Sequence, residues 1–215
     1  MIEWKAFEFN PFSENTYIVW DNDTREAWII DPGCYDSSER KIVFDFLRNN
    51  SLDLKYILNT HCHLDHIFGN RYIKENFQNC ILIIPERELG LYESGKSQAE
   101  MFGLEMACPP EPDRFFLDDE VLNLGGAKFR IISTPGHSED GKSFYSESAG
   151  ICFTGDALFH ESIGRTDLPG GNLNVLISTI KDKLFVLPDK TVILAGHGQR
   201  SFIGHEKLNN PFLRL

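Results

Sequence analysis

Short apolar runs alternate with polar, glycine-containing turns along most of the chain, and this pattern predicts a mixed α/β protein. The first runs have the length and the turn-forming neighbours of an antiparallel meander of three strands, predicted at Ile2–Phe9, Asn15–Trp20 and Glu26–Ile30. An amphipathic helix is expected next, because apolar residues at positions 42, 43, 46 and 47 share one helical face.

Strand and helix signals then alternate through the rest of the sequence. The later strands are predicted at Leu54–Asn59, Ile81–Ile84, Val121–Leu124, Ala127–Ile132, Ser143–Ser146, Ile151–Thr154 and Thr191–Leu194. Helices are predicted from about Ile67 to Glu75 and from about Leu173 to Leu184. Residues 86–116 look like a small helical insertion that ends in a proline-rich stretch, since proline cannot continue a helix. No linker or repeat is visible, so we expect one domain over residues 1–215.

A dense group of metal-binding side chains follows the strand predicted at Leu54–Asn59, in the run Thr60-His61-Cys62-His63-Leu64-Asp65-His66. His61 and His63 leave the strand in extended geometry, where residues two apart point to the same side. Asp65 and His66 lie at the turn into the next helix, close enough to reach a second ion. Cys62, between the two histidines, is expected to face away from them.

Three further candidate ligands stand alone, each after an apolar run and a glycine-containing turn: His137, Asp156 and His197. Ligands at the strand ends of a layered α/β protein converge on one edge of the sheets. Seven ligands are too many for one tetrahedral site but fill two sites that share a bridge. The sequence therefore predicts a dinuclear metal centre, and imidazole and carboxylate ligands suit zinc, iron or manganese equally well.

Composition and charge narrow the class of protein further. Apolar residues at 41% and charged residues at 25% are ordinary for a soluble globular chain, and the net charge of −11 argues against a nucleic-acid partner. The first residues lack the pattern of a signal peptide, and no apolar run has membrane-spanning length. We therefore expect a cytoplasmic protein without membrane attachment, whose oligomeric state the sequence leaves open. The five cysteines are odd in number and lack paired spacing, so they imply no disulfide framework.

The motif from Thr60 to His66, together with the Pro-Gly-His, Gly-Asp and Gly-His segments, resembles the metallo-β-lactamase superfamily and, within it, the glyoxalase II-like hydrolases. Three further stretches resemble the short, single-domain bacterial branch of that group: Phe153–Phe159, Ser162–Gly171 and Gly196–Leu213. The resemblance implies a fold of class α/β, an αββα four-layer sandwich with the metals at one edge.

The resemblance also implies how the ligands are shared between two divalent metal ions, with zinc the first choice and iron or manganese the alternatives. The first ion is assigned His61, His63 and His137, and the second ion Asp65, His66 and His197. Asp156 is assigned to both ions, because a carboxylate has two oxygens. Asp65 would contribute to catalysis mainly as a ligand.

The implied activity is hydrolysis of small acyl thioesters, as in hydroxyacylglutathione hydrolases, by attack of a hydroxide shared between the two metal ions on the acyl carbon. Arg165 lies nine positions after Asp156, where glutathione-using relatives carry a basic substrate contact, and Asp167 stands where they carry a tyrosine. Both residues are predicted substrate contacts. An Arg165–Asp167 ion pair that only fixes the loop is the alternative, and the thiol carrier is left open.

A persulfide dioxygenase is the alternative function. That class shares the fold and a segment like Gly164–Asp167, and it uses one iron held by the equivalents of His61, His137 and Asp156. Metal content and oxygen uptake would separate the two reactions. His160 and His205 have no place in either ligand pattern.

Overall fold

The computed structural model describes residues 1–117 and 119–214. The chain forms two compact units. Unit 1 comprises residues 1–116 and 124–126, and unit 2 comprises the rest of the described chain. In both units the apolar runs of the sequence form the central strands.

Unit 1 contains a six-stranded sheet whose spatial order follows the order in the sequence. Its strands are β1 Ile2–Phe9, β2 Glu14–Asp21, β3 Glu26–Ile30, β4 Asp53–Leu58, β5 Ile81–Ile84 and β6 Arg114–Phe115. The first three strands pair antiparallel, which confirms the predicted meander. Strands β3 to β6 are parallel, so their carboxyl ends lie at the same edge of the sheet.

Five short helices belong to unit 1: α1 Ser37–Asn49, α2 Leu64–Ile67, α3 Asn70–Asn76, α4 Leu89–Glu93 and α5 Gly95–Met101. Helix α1 begins where the Asp36 carboxylate accepts hydrogen bonds from two backbone N–H groups, as an N-cap does. Its residues Val43 and Leu47 pack into the apolar core of the unit with Ile29 and Ile57. The predicted insertion is helical only in its first half, and its proline-rich end is not helical.

The prediction of one continuous helix from about Ile67 to Glu75 is wrong, because a turn at residues 68 and 69 separates α2 from α3. The Gly69 N–H donates to the Pro32 carbonyl at 2.6 Å, and the Asp65 carbonyl accepts instead from Asn10 Nδ2 at 3.0 Å. A Cβ on Gly69 would lie 2.5 Å from Cys34 Sγ. Tertiary hydrogen bonds therefore replace the helical one, which local periodicity could not reveal.

Unit 2 contains a second six-stranded sheet in the order β14-β13-β10-β9-β8-β7, and a two-stranded hairpin of β11 and β12. Its strands are β7 Val121–Leu124, β8 Ala127–Ser133, β9 Lys142–Ser146, β10 Ile151–Gly155, β11 Leu158–Phe159, β12 Ser162–Ile163, β13 Val192–Ala195 and β14 Ser201–Phe202. Strand β9 is antiparallel to both of its neighbours, whereas β10 and β13 are parallel. Strands β8, β10 and β13 thus run in one direction.

Two helical segments cover this sheet's core residues, α6 at Leu173–Thr179 and α7 at Ile203–Asn209. A π-helical turn, Ile180–Leu184, continues α6, so the predicted extent of that helix is confirmed. Leu176 and Ile180 pack with Ile193 in the apolar core of unit 2. Among the described residues no helix is long and apolar enough to cross a membrane.

Candidate metal centre

The parallel pairing of β3 with β4 brings the chain segments that follow these strands together. Ile30 is the register partner of Leu58, and the Asp31 N–H donates to the Leu58 carbonyl at 2.9 Å. Asp31 and Thr60 therefore leave the same edge of the sheet side by side. The predicted motif from His61 to His66 begins at this point.

The Asp31 carboxylate organises the start of that motif. It accepts hydrogen bonds from the Thr60 N–H at 2.7 Å and from the Thr60 hydroxyl at 2.6 Å, and its Oδ2 lies 3.1 Å from His66 Nδ1. His61 Nδ1 lies 3.1 Å from Thr60 Oγ1. A carboxylate or hydroxyl beside one ring nitrogen orients an imidazole so that its other nitrogen can bind a metal. Asp31 lies outside the predicted ligand motifs, and its position at the end of a strand beside β4 is the sequence signal that points to it.

All four candidate ligands of unit 1 lie close together. The His61 ring centroid is 4.8 Å from that of His63 and 4.1 Å from that of His66. Asp65 Oδ2 lies 3.7 Å from His66 Nε2. His61 and His66 are buried, while His63 and Asp65 are partly exposed. The group thus has an inner, solvent-shielded side and an outer side that a small molecule can reach.

Buried polar side chains fix the backbone of this loop from behind. Asn59 Nδ2 donates to the His66 carbonyl at 2.9 Å, and Asn70 Nδ2 donates to Asn59 Oδ1 at 2.7 Å. Glu88, which is 1% exposed, accepts the Cys62 N–H at 2.6 Å. The Cys62 side chain lies in the apolar core of unit 1, as predicted.

A second buried carboxyl, that of Glu14, lies next to His66. Its Oε1 is 4.0 Å from His66 Nδ1, and burial raises the pKa of Glu14 well above its ordinary value. Gly33 passes so close that a Cβ there would lie 1.9 Å from Glu14 Oε2. A larger residue at position 33 would therefore displace this carboxyl. A single glutamate at the start of a strand carries no sequence signal for such a position.

Candidate ligands of unit 2 follow three strands that run in one direction. His137 comes after β8, Asp156 directly follows β10, and His197 comes after β13. Gly155 pairs with Ala195, and the Gly196 N–H donates to the Gly155 carbonyl at 2.9 Å. The sheet register thus brings together residues that are far apart in the sequence.

The Asp156 carboxylate lies between the two histidines of unit 2. Its Oδ2 is 3.6 Å from His137 Nε2 and 3.5 Å from His197 Nε2. His137 Nδ1 lies 2.8 Å from the Arg165 carbonyl. Because a carbonyl oxygen can only accept, Nδ1 carries a hydrogen, which leaves Nε2 as the ring nitrogen that can bind a metal.

Glycines allow the close approach of these ligand-bearing segments. A Cβ on Gly164 would lie 1.9 Å from the Asp156 carbonyl oxygen and 2.9 Å from His137 Nδ1. Gly136, directly before His137, has φ +126°, and a Cβ there would lie 2.4 Å from the Leu176 nitrogen. Both positions require glycine, for lack of space and, at Gly136, for backbone conformation as well.

Arg165 and Asp167 form an exposed bidentate ion pair, with Nε to Oδ1 and Nη2 to Oδ2 both at 2.7 Å. The hydrogen bonds from Arg165 lower the pKa of Asp167 to about 2. The ion pair considered as the alternative in the sequence analysis is thus present. It uses two of the five guanidinium N–H groups, so the pairing does not by itself prevent a contact to a ligand.

Comparison with known proteins identifies the family. The profile of the metallo-beta-lactamase superfamily matches residues 9–197. The chain belongs to this superfamily. Hydroxyacylglutathione hydrolase GloC of Haemophilus influenzae is 40% identical over 203 residues, which cover 94% of this chain and 93% of that protein.

Solved structures of the superfamily match the whole fold. The BLEG-1 B3 metallo-beta-lactamase superposes with a TM-score of 0.90 at 31% identity, covering 98% of this chain and 99% of that one. TTHA1623, solved in a di-iron-bound form, gives a TM-score of 0.85 at 32% identity and covers 97% of this chain and 100% of that one. The predicted fold class, the αββα sandwich of the metallo-β-lactamase type, is confirmed.

Membership of the metallo-beta-lactamase superfamily defines the chemical class of the protein. It is a metallo-hydrolase of a superfamily that binds two divalent metal ions. The imidazole and carboxylate groups found in both units are the ligand types that such ions take. The residues present therefore fit the metals that the family uses.

Proposed function

We propose that this protein hydrolyses small 2-hydroxyacyl thioesters in the manner of glyoxalase II. The observation that carries the proposal is the 40% identity with the Haemophilus influenzae hydroxyacylglutathione hydrolase over nearly the whole length of both chains. The net charge of −11 favours a small-molecule substrate over nucleic acid. We also propose that the two units act as one catalytic domain, residues 1–215, in the cytoplasm.

The proposed centre takes ligands from both units. His61, His63 and His137 would hold the first ion, Asp65, His66 and His197 the second, and Asp156 would bind both. The symmetry around Asp156 supports its bridging role. Its Oδ2 lies almost equally far from His137 Nε2 and His197 Nε2, which serve different ions in this assignment.

Two divalent ions, when bound, make water a nucleophile at neutral pH and polarise the acyl carbonyl. The chain's own residues prepare the site for this chemistry. Asp31 lies beside Nδ1 of His66, and the Arg165 carbonyl accepts from Nδ1 of His137, so the other nitrogen of each ring would be held in place for a metal ion. A thiolate leaving group needs little help from a general acid, which fits thioesters better than amides.

We propose that Arg165 contacts the thiol carrier of the substrate. The Arg165 side chain is 60% exposed, and its pairing with Asp167 fixes the direction of the guanidinium. An arginine held in this way can still bind a carboxylate or an amide oxygen through its remaining N–H groups. Asp167 is then a positioning residue for Arg165.

The identity of the metal is part of the test, because the ligand set suits zinc, iron and manganese. TTHA1623 was solved with two irons, and we take zinc and iron as the two leading candidates. The protein should be purified without added metal, its metal content measured, and hydrolysis of 2-hydroxyacyl thioesters followed with glutathione and with a truncated thiol as carriers.

Asp156→Asn is the decisive variant for this assay, and Asp182→Asn, an exposed aspartate of the same unit, is its matched control. We expect hydrolysis to be lost in Asp156→Asn and retained in Asp182→Asn. Hydrolysis that survives in metal-depleted protein, or that Asp156→Asn does not reduce, would overturn the proposal.

Two other substrates belong in the same panel. The Gly164–Asp167 segment favours a persulfide dioxygenase, which would consume oxygen with a persulfide and contain one iron per chain. The likeness to the BLEG-1 B3 metallo-beta-lactamase favours a β-lactam. β-Lactam hydrolysis much faster than thioester hydrolysis would replace the proposed substrate while leaving the metal assignment standing, whereas oxygen uptake with a persulfide and one iron per chain would overturn both.

A further inference from the structure

The turn of the β11–β12 hairpin carries two side chains that face the start of α7. His160 and Glu161 form the turn, and His205 lies on the helix. Their potential ligand atoms all lie within 4.8 Å of one another. We propose that His160, Glu161 and His205 form a peripheral binding site for a transition-metal ion, separate from the seven proposed ligands of the centre.

Distances within the group suit three ligands of one ion. Glu161 Oε1 lies 2.9 Å from His205 Nε2 and 3.9 Å from His160 Nε2, and the two rings are nearly parallel at 5.0 Å. Ligand atoms bound at about 2.0–2.2 Å to one tetrahedral ion lie roughly 3.3–3.5 Å apart. Small side-chain rotations therefore bring all three atoms onto one ion.

A buried carboxylate behind His160 supports the proposal independently. Glu206 is 0% exposed, and its Oε1 lies 3.6 Å from His160 Nδ1, where Ser201 Oγ lies 3.4 Å away. Histidines that bind metals commonly direct their second nitrogen to a carboxylate in this way. Nε2 of His160 is thereby turned towards Glu161.

The same carboxylate also holds the next ligand in place. Glu206 Oε2 accepts the Glu161 N–H at 2.9 Å and Asn210 Nδ2 at 2.9 Å. Glu161 has φ +51°, a left-handed conformation that residues other than glycine adopt at an energetic cost. Glu161 thus adopts a conformation that glycine would adopt without strain, and its carboxylate faces two imidazoles.

The ligand types and their exposure indicate the kind of ion. Two imidazoles and one carboxylate suit zinc, nickel, cobalt or copper(II) rather than magnesium or calcium. His160, Glu161 and His205 are 31%, 49% and 36% exposed, so an ion can enter directly from solvent and complete its coordination with water. Asn209 Nδ2 lies 3.2 Å from His205 Nδ1 and donates to the His205 carbonyl at 3.1 Å, so metal binding at Nε2, which moves the ring hydrogen to Nδ1, also requires the Asn209 side chain to rotate away from Nδ1.

An ion bound at this turn would also affect Phe159, which directly precedes His160. Phe159, at the end of β11, contacts the His197 ring edge-on at 6.1 Å between centroids. A metal that joins the hairpin to α7 would therefore hold Phe159 in place beside His197. The site is expected to stabilise the fold when an ion is bound.

Equilibrium dialysis of the protein against zinc tests the proposal. At saturating free zinc we expect the wild-type chain to hold one zinc equivalent more than His160→Gln, His205→Gln or the double variant, by metal analysis of the dialysed protein. Leu208→Gln, at an exposed position of α7, should bind as the wild type does. An equivalent number of zinc ions in the wild type and the double variant would overturn the proposal.

Glu161→Gly separates metal binding from a purely structural role. Glycine relieves the positive φ, so the variant should melt at or above the wild-type temperature without excess zinc. It should also lose the rise in melting temperature that excess zinc gives the wild type. A zinc-induced rise in Glu161→Gly equal to that of the wild type would contradict the assignment.

Discussion

The two halves of the candidate ligand set are built in different ways. In unit 1 the ligands lie within six residues, and buried side chains such as Asp31 and Asn59 hold them. In unit 2 they come from three separate strand ends, and a backbone group, the Arg165 carbonyl, orients His137. The first half depends on specific polar side chains, whereas the second depends on sheet register and on glycines.

This difference predicts different weak points. A polar substitution behind the first half should disturb ligand orientation while leaving the fold intact. In the second half the backbone approaches the ligand-bearing segments closely at Gly136 and Gly164, so a substitution at these glycines should disturb the ligands. The substitutions below separate the two cases.

The largest effect is expected from Gly164→Ala. The added Cβ would meet the Asp156 carbonyl oxygen and the His137 ring, so the segment carrying Asp156 must shift. Displacing reacting groups by about 1 Å can reduce kcat by about 100-fold, and overpacking costs about 1–3 kcal/mol of stability. Gly150→Ala, at φ +67° with free space around it, is the control for backbone strain alone. Equal effects of the two substitutions on kcat would contradict the proposed role of glycine in this half.

Asp31→Asn should act on the first half. The amide keeps one of the two oxygens that accept from Thr60, replaces the other by an NH₂ group and removes the negative charge beside His66. Loss of such a partner typically weakens metal affinity by about 10-fold to 100-fold. The check is a chelator competition that follows release of each metal equivalent, with Asp53→Asn, which is exposed and paired to Lys55, as control. Unchanged affinity would show that Asp31 only supports the loop.

Arg165→Ala should have a smaller effect, confined to substrate binding. A charge-assisted contact to the carrier would contribute about 1–3 kcal/mol. Arg165→Ala should therefore raise the KM for glutathione thioesters more than the KM for truncated thioesters. The lowered pKa of Asp167 keeps the Arg165–Asp167 pair ionised further into the acidic range than an ordinary aspartate would be. Its stabilising effect is therefore complete above about pH 3.8 and is lost as the pH falls towards 2. Equal changes in KM for long and truncated thioesters would limit Arg165 to fixing its loop.

The smallest effect on catalysis is expected from Cys62→Ala. The side chain is buried in the apolar core, so about 1 kcal/mol of stability should be lost while kcat/KM and its pH profile remain. Thiol labelling gives a parallel check, since Cys108 is exposed and the other four cysteines are buried. Burial also raises the pKa of Cys34 and Cys152 to about 12. Activity lost to the same degree as in a ligand variant would make Cys62 part of the chemistry.

Sequence patterns predicted the longer strands well, because most of them are short apolar runs between turn-forming residues, but they missed the two-residue strands β6, β11, β12 and β14. They also predicted the clustering of candidate ligands at strand ends, since parallel strands place their carboxyl ends together. Gly155 and Gly196 show why this works in unit 2, where register alone aligns Asp156 with His197.

What the sequence could not predict depends on contacts between distant segments. The break at Gly69 arises from a hydrogen bond to Pro32, and the role of Glu88 arises from a contact with Cys62 that spans 26 positions. Asp31 and Glu14 are ordinary acidic residues in the sequence and become important only through burial beside His66. Hydrophobic periodicity contains no information about such buried polar contacts.

Metal content of ligand variants tests most directly whether the two halves serve one dinuclear centre. We predict close to two ions per chain in the purified protein. In Asp156→Asn both should be lost together, whereas His66→Gln should lose mainly one. The number of metal ions per chain is best measured in variants that also carry His160→Gln and His205→Gln, because these lack the proposed peripheral site. A content of one ion per chain that His66→Gln does not change would contradict the account.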